Sequence, residues 1–190
     1  ARHTPCRAAL ESGASVVVAG SGTVCLLSAR LAALRGFATK VIASPKDLET
    51  AATVLYDDAH PEGSLPLTLL PLSGPDKDVE ALEAAVAEAQ GLVLCLDKDW
   101  TFTESQVENF MPDGAALRHV SLMSRNLNGE GMGFFASAAK RGANLDVWDA
   151  AEESVANYKA GETAVRARAE AAGAAWTIVR AGTLKGGGSG

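Results

Sequence analysis

The stretch Val16-Val17-Val18-Ala19-Gly20-Ser21-Gly22-Thr23-Val24-Cys25 decides how this chain folds. Its first four residues form a short, apolar, mostly β-branched run bounded by glycine, the pattern of a strand buried on both faces. Two glycines then permit a tight turn, and the period changes at once. Val24, Leu27, Leu31 and Leu34 recur at steps of three and four with Gly36 behind them, predicting an amphipathic helix with that stripe as its apolar face and glycine as its C-terminal stop. Strand, tight turn and helix make the first half of a βαβ unit.

Beyond this unit the same alternation continues. Thr39 to Ala43 reads as a second strand, and Leu65 to Leu72 as a third, which Pro66 and Pro71 restrict to an edge or irregular position. A helix is expected over Asp76 to Gln90, with Val79, Leu82 and Val86 on one face and Gly91 as its stop. Leu92 to Leu96 is the cleanest strand, Leu117 to Met123 the fifth, and Trp176 to Val179 the sixth, preceded by an alanine-rich helix from about Ala151 to Ala172. Strands alternating with helices predict an α/β fold of the Rossmann type: a doubly wound, mostly parallel sheet in three αβα layers, ordered 3-2-1-4-5-6. The ligand crevice of such a sheet lies outside the carboxyl ends of the first and fourth strands. At 190 residues with 47% apolar side chains, the chain suits one core rather than two. Residues 1–185 are therefore read as a single NAD(P)-binding domain and 186–190 as a flexible tail.

Composition excludes several classes. The net charge is -6, and lysines and arginines are scattered singly, so nothing resembles the footprint of a nucleic-acid binder. No apolar run approaches the roughly 20 residues of a transmembrane segment, which predicts a soluble or peripheral chain. Cys6, Cys25 and Cys95 are far apart and odd in number, arguing against a disulfide framework and a zinc site and for a reducing compartment. His3, His60 and His119 have no ligand spacing, so no metal is expected.

The turn after the first strand is where a dinucleotide would meet the chain. Backbone N–H groups of Gly20, Ser21, Gly22 and Thr23 would face the pyrophosphate at the helix N-terminus, with Val24 and Cys25 following. Cys25 stands where the fingerprint has its third glycine. At the end of the second strand the chain has Ala43-Ser44-Pro45-Lys46, with the nearest acid, Asp47, coming late. Ser44 and Lys46 could receive a 2′-phosphate, so NADP(H) is favoured over NAD(H). Leu96, ending the fourth strand, is a further cofactor-binding candidate. The following Asp97-Lys98-Asp99-Trp100 reads as a solvated loop, and Asn126 to Gly133 as a glycine-rich connection on the crevice side.

Val16 to Thr23, His119-Val120-Ser121-Leu122-Met123-Ser124, and Tyr158 in a helix leading to Gly173-Ala174-Ala175-Trp176-Thr177-Ile178-Val179-Arg180-Ala181-Gly182 together resemble the atypical short-chain dehydrogenase/reductase family, which includes NmrA-like and organellar members. The resemblance covers most of the chain, and its last element is the most specific. It implies an NADP-dependent oxidoreductase in which Tyr158 passes a proton to a carbonyl and Ser124 lies beside the cofactor, with a lysine four residues after the tyrosine lowering the phenol's pKa. In this chain that position is Glu162, and a carboxylate would raise the phenol's pKa instead. Lys159 points about 100° away from Tyr158 on the helix and does not take over that position. Two readings stay open. One is a dinucleotide binder of this oxidoreductase type. The other is a catalytically silent accessory subunit or assembly factor of a larger, organellar membrane protein complex. For either, the plastid stroma or mitochondrial matrix is the expected compartment, with the cytoplasm as the alternative.

Overall fold

The computed structural model describes residues 9–96, 101–125 and 152–181. Within them six strands form one sheet: β1 (Ser15–Ser21), β2 (Ala38–Ala43), β3 (Leu67–Pro71), β4 (Gly91–Leu96), β5 (His119–Arg125) and β6 (Ala175–Ala181). Their order is β3-β2-β1-β4-β5-β6, and every neighbouring pair is parallel. This is the expected doubly wound α/β sheet, with β1 in its middle.

Alternation along β1 separates the two cores. Val16 and Val18 pack with Val41, Ala43 and Cys95 beneath α1 (Gly22–Leu34) and α3 (Ala51–Leu55). Val17 and Ala19 pack on the opposite face with Leu92, Leu94, Val120 and Leu122. That second core is closed by α4 (Val79–Glu88), α5 (Glu104–Phe110) and α6 (Glu152–Ala171). A strand covered on both faces has no polar side, which is why the segment reads as continuous valine rather than alternating.

The first helix turns a different face to the sheet from the one its leucine spacing predicts. Cys25, Leu26, Ala29 and Ala33 are buried, whereas Leu27, Leu31 and Leu34 are 43%, 60% and 41% exposed. Small side chains let the helix axis approach the strands closely, so Cys25, Ala29 and Ala33 occupy the contact with Leu26, and Leu27, Leu31 and Leu34 point outward. In α4 the expected stripe is partly right: Val86 is buried and Leu82 packs against the core, but Val79 is 50% exposed, and Ala85 joins the core instead. Gly91 opens β4 rather than merely ending a helix, and β5 extends to Arg125. β3 lies at the sheet edge, as its prolines require.

Two short elements carry local signals that the periodicity reading passed over. α2 (Pro45–Glu49) begins with Ser44 as N-cap, whose hydroxyl accepts from the Asp47 N–H, and with Pro45 in its first turn. α5 begins with a reciprocal capping box between Thr103 and Gln106. Both are legible as Ser-Pro-x-Asp and Thr-x-x-Gln, but neither helix is long enough to show a stripe.

Candidate functional site

The turn between β1 and α1 stands at the point where the chain's connections part to either side of the sheet. Gly20 pairs with Ala43 of β2 and Cys95 of β4, and Ser21 with Leu96. A crevice outside the carboxyl ends of β1 and β4 follows from this topology. Gly20 has φ +149°, and a Cβ there would lie 1.5 Å from the Cys95 carbonyl oxygen. Only glycine fits so close an approach. Gly22 has φ +80°, the left-handed region that lets the chain pass from strand into helix without an intervening loop. Cys25, in the third-glycine position, is fully buried against the sheet, where its small side chain allows the close helix–strand contact.

At its N-terminus α1 has no acidic residue in the first turn, and the Ser21 side chain makes no capping hydrogen bond. The negative charge comes from elsewhere in the chain. The Gly22 N–H donates to Asp47 Oδ1 at 3.2 Å, across 25 residues of sequence. Ser44 Oγ donates to the other carboxylate oxygen at 2.5 Å and accepts the Asp47 N–H at 3.3 Å. Ser44 is thus tied to Asp47, while Lys46 is exposed on α2. Thr23 is exposed; Val24 and Leu96 are half-buried. Beside α2 a cavity of about 240 Å³ is lined by Pro45, Leu48, Glu49, Pro71, Pro75 and Asp76. Ligand pockets run from about 300 Å³ upward, so this one could hold only part of a dinucleotide.

On the other half of the sheet the residues expected near the reacting end of a cofactor are built into the core. Tyr158 is 1% exposed and Glu162, one turn later on α6, 2%. Glu162 accepts from Ser124 Oγ of β5 at 2.8 Å. Arg180 of β6 donates to both carboxylate oxygens, Nε to Oε1 at 2.9 Å and Nη2 to Oε2 at 2.6 Å. Arg166, a turn further along α6, adds a bond to Oε2 at 3.2 Å and lies over the Trp176 ring, 5.2 Å from its centroid. Burial pushes the Glu162 carboxyl upward, but the hydrogen bonds from Arg180 and Ser124 and the charges of Arg180 and Arg166 outweigh it and hold the group below the usual glutamate range. The bidentate Arg180–Glu162 pair joins β6 to α6, and the Ser124 hydrogen bond ties β5 to it.

The structure therefore brings Gly20, Ser21, Gly22 and Leu96 together at the carboxyl ends of β1 and β4, with Ser44 linked to them through Asp47. It gathers Ser124 into a different cluster, on Glu162. Sequence reasoning missed both the role of Asp47 and the Glu162 cluster. Asp47 carried a signal, since it follows Ser-Pro at a helix start, but nothing local announces the meeting of residues 124, 162 and 180. Asp97 to Trp100 and Asn126 to Gly133 lie outside the described residues, as does the 186–190 tail. Among the described residues no group of three or more His, Cys, Asp or Glu side chains could hold a metal ion, and no helix is long and apolar enough to cross a membrane. No protein-family model matches the chain, and no curated protein matches it as a relative.

Proposed function

We propose that this chain binds an NAD(P)-type dinucleotide across the carboxyl ends of β1 and β4, without the tyrosine–lysine chemistry of a reductase. The observation that carries the first half is the Gly20–Gly22 turn, pressed against the β4 backbone at mid-sheet and leading directly into a helix that supplies no anion of its own. Backbone N–H groups and the helix dipole at such a turn suit a pyrophosphate. The cavity beside α2 offers room for one end of the ligand, and the exposed Lys46 supports a 2′-phosphate and hence NADP(H).

The second half rests on Tyr158 and Glu162. A phenol buried to this degree is not open to a substrate carbonyl, and the residue four positions on is a carboxylate engaged by two arginines. These features favour a non-catalytic role, of which service as an accessory subunit or assembly factor in a larger complex is one form.

Titration of the purified chain with NADPH and NADH tests the proposal, following energy transfer from the tryptophans to the nicotinamide. Saturable transfer with no hydride loss to added carbonyl compounds is the expected result. Carbonyl-dependent oxidation of NADPH that Tyr158→Phe abolishes would overturn the non-catalytic reading. Absence of saturable transfer with either nucleotide, together with stoichiometric copurification of other proteins, would leave the accessory role alone.

A further inference from the structure

The Asp47 carboxylate accepts the Gly22 N–H at the start of α1, within the turn proposed above to meet the pyrophosphate. We propose that this carboxylate is an autoinhibitory internal anion, which a dinucleotide must displace before the Gly20–Gly22 turn can hold it. The inference rests on the dinucleotide reading and adds to it a residue that sets the affinity. A carboxylate and a phosphate present the same acceptor oxygens to a backbone N–H, and Gly22 already donates to one of them at 3.2 Å. Within α2, Ser44 is the cap: its hydroxyl accepts the Asp47 N–H and donates to Asp47 Oδ2, while Oδ1 reaches beyond that helix to the start of α1.

Two further features fix the carboxylate in this position. Ser44 Oγ donates to its second oxygen at 2.5 Å, so both oxygens are engaged, one by each element. α1 has no acid in its first turn and its N-cap Ser21 makes no side-chain capping bond, so Asp47 supplies an anion that its dipole attracts. A pyrophosphate brought to the same N–H groups meets a like charge at close range, which at an effective dielectric between that of a protein surface and that of water lowers affinity on the order of tenfold or more. NADPH suffers doubly, because a 2′-phosphate near Ser44 and Lys46 adds a second like-charge contact. In NADH the ribose carries only hydroxyls.

Asp47→Asn keeps the side chain's size and an oxygen for the Gly22 N–H but removes the charge. Ser44→Ala keeps the charge and removes one of its two anchors. We expect Asp47→Asn to bind NADH about tenfold more tightly than the unsubstituted chain and to gain more for NADPH, with Ser44→Ala falling between. Inorganic pyrophosphate should compete better in the same order. Far-UV circular dichroism and a thermal melt establish that each variant is folded. Equal affinities in all three proteins would overturn the inhibitory role and leave dinucleotide binding intact. Weaker NADH binding in Asp47→Asn would also overturn it, showing that the carboxylate accepts hydrogen bonds from the ligand. Failure of the folded Asp47→Asn protein to bind either nucleotide or pyrophosphate would overturn both this inference and the dinucleotide reading.

Discussion

The two halves of the sheet treat their polar residues in opposite ways. Around β1 and β2, the Asp47 carboxylate meets the N-terminus of α1, a contact that rotation of one side chain would release. Around β5 and β6, the corresponding positions are locked into a buried network: four hydrogen bonds meet on Glu162, from three donor residues on three elements. The difference teaches where this molecule could still bind something. A site needs groups whose present partners can be exchanged for a ligand's, and among the described residues the first half offers them.

The largest effect that would sharpen this comparison is expected at the turn itself. Gly20→Ala places a Cβ 1.5 Å from the Cys95 carbonyl oxygen at a backbone conformation that alanine avoids. A loss of about 3 kcal/mol or more in denaturant unfolding is expected. A wild-type unfolding midpoint would mean that the central strands do not meet so closely.

Next comes the buried network. Glu162→Ala removes the acceptor shared by Ser124, Arg166 and Arg180 and should cost about 3 kcal/mol, at the low end for a broken buried pair because both guanidinium groups keep some contact with water. Glu162→Lys, which restores the residue of an active tyrosine–lysine pair, should destabilise further and yield no reductase activity, since it sets a third cation against two arginines. Carbonyl reduction by a folded Glu162→Lys protein would break the contrast between the two halves.

The same group makes stability depend on pH. Its carboxyl is held below the usual glutamate range in the folded chain, so the contribution is complete above that range and is lost as pH falls through the lowered folded value. Unfolding free energies from about pH 6 down to pH 3 should show a decline that is shallower in Glu162→Gln. Identical slopes in the two proteins would show that Glu162 is not the linked group.

A smaller effect is expected inside α6. Gly161→Ala directs a methyl group to within 2.5 Å of the Phe102 carbonyl oxygen, on the segment leading into α5. The gain in helix propensity, worth up to about 1 kcal/mol, should be outweighed by the overpacking, giving a net loss on the order of 1 kcal/mol. The smallest change is expected on the outer face of α1, where Leu31→Ser should alter unfolding free energy by no more than about 0.5 kcal/mol. Ala29→Leu, on the face packed against the sheet, should cost about 1 to 3 kcal/mol. Reversal of that order would restore the leucine stripe as the buried one.

Much of the architecture was legible along the chain because its signals are local. The continuous apolar run at Val16 to Ala19 and the glycines behind it mark a central strand and a turn, and the run at Leu92 to Leu96 marks a second central strand. The face of α1 was not legible, because the helix has two apolar sides and spacing alone does not say whether leucines or small residues meet the sheet. Ser44 was read as a free hydroxyl near a phosphate, and its commitment to Asp47 became visible only when α2 was seen to begin there. Tyr158 and Glu162 were recognisable as a pair one helical turn apart, but not as part of one buried cluster with Ser124 and Arg180.

The amino-acid order by itself determined the six strands, the three longer helices and their alternation, since periodicity and turn chemistry act over a few residues at a time, and the parallel strand order follows from that alternation. Tertiary structure alone decided which helix faces are buried, which carboxylate meets the start of α1, and that Glu162 is held by two arginines. Those outcomes depend on contacts between residues as far apart as Ser28 and Cys95, 67 positions along the chain. Such contacts are set by how helices settle on the assembled sheet, and no short stretch of the chain encodes them.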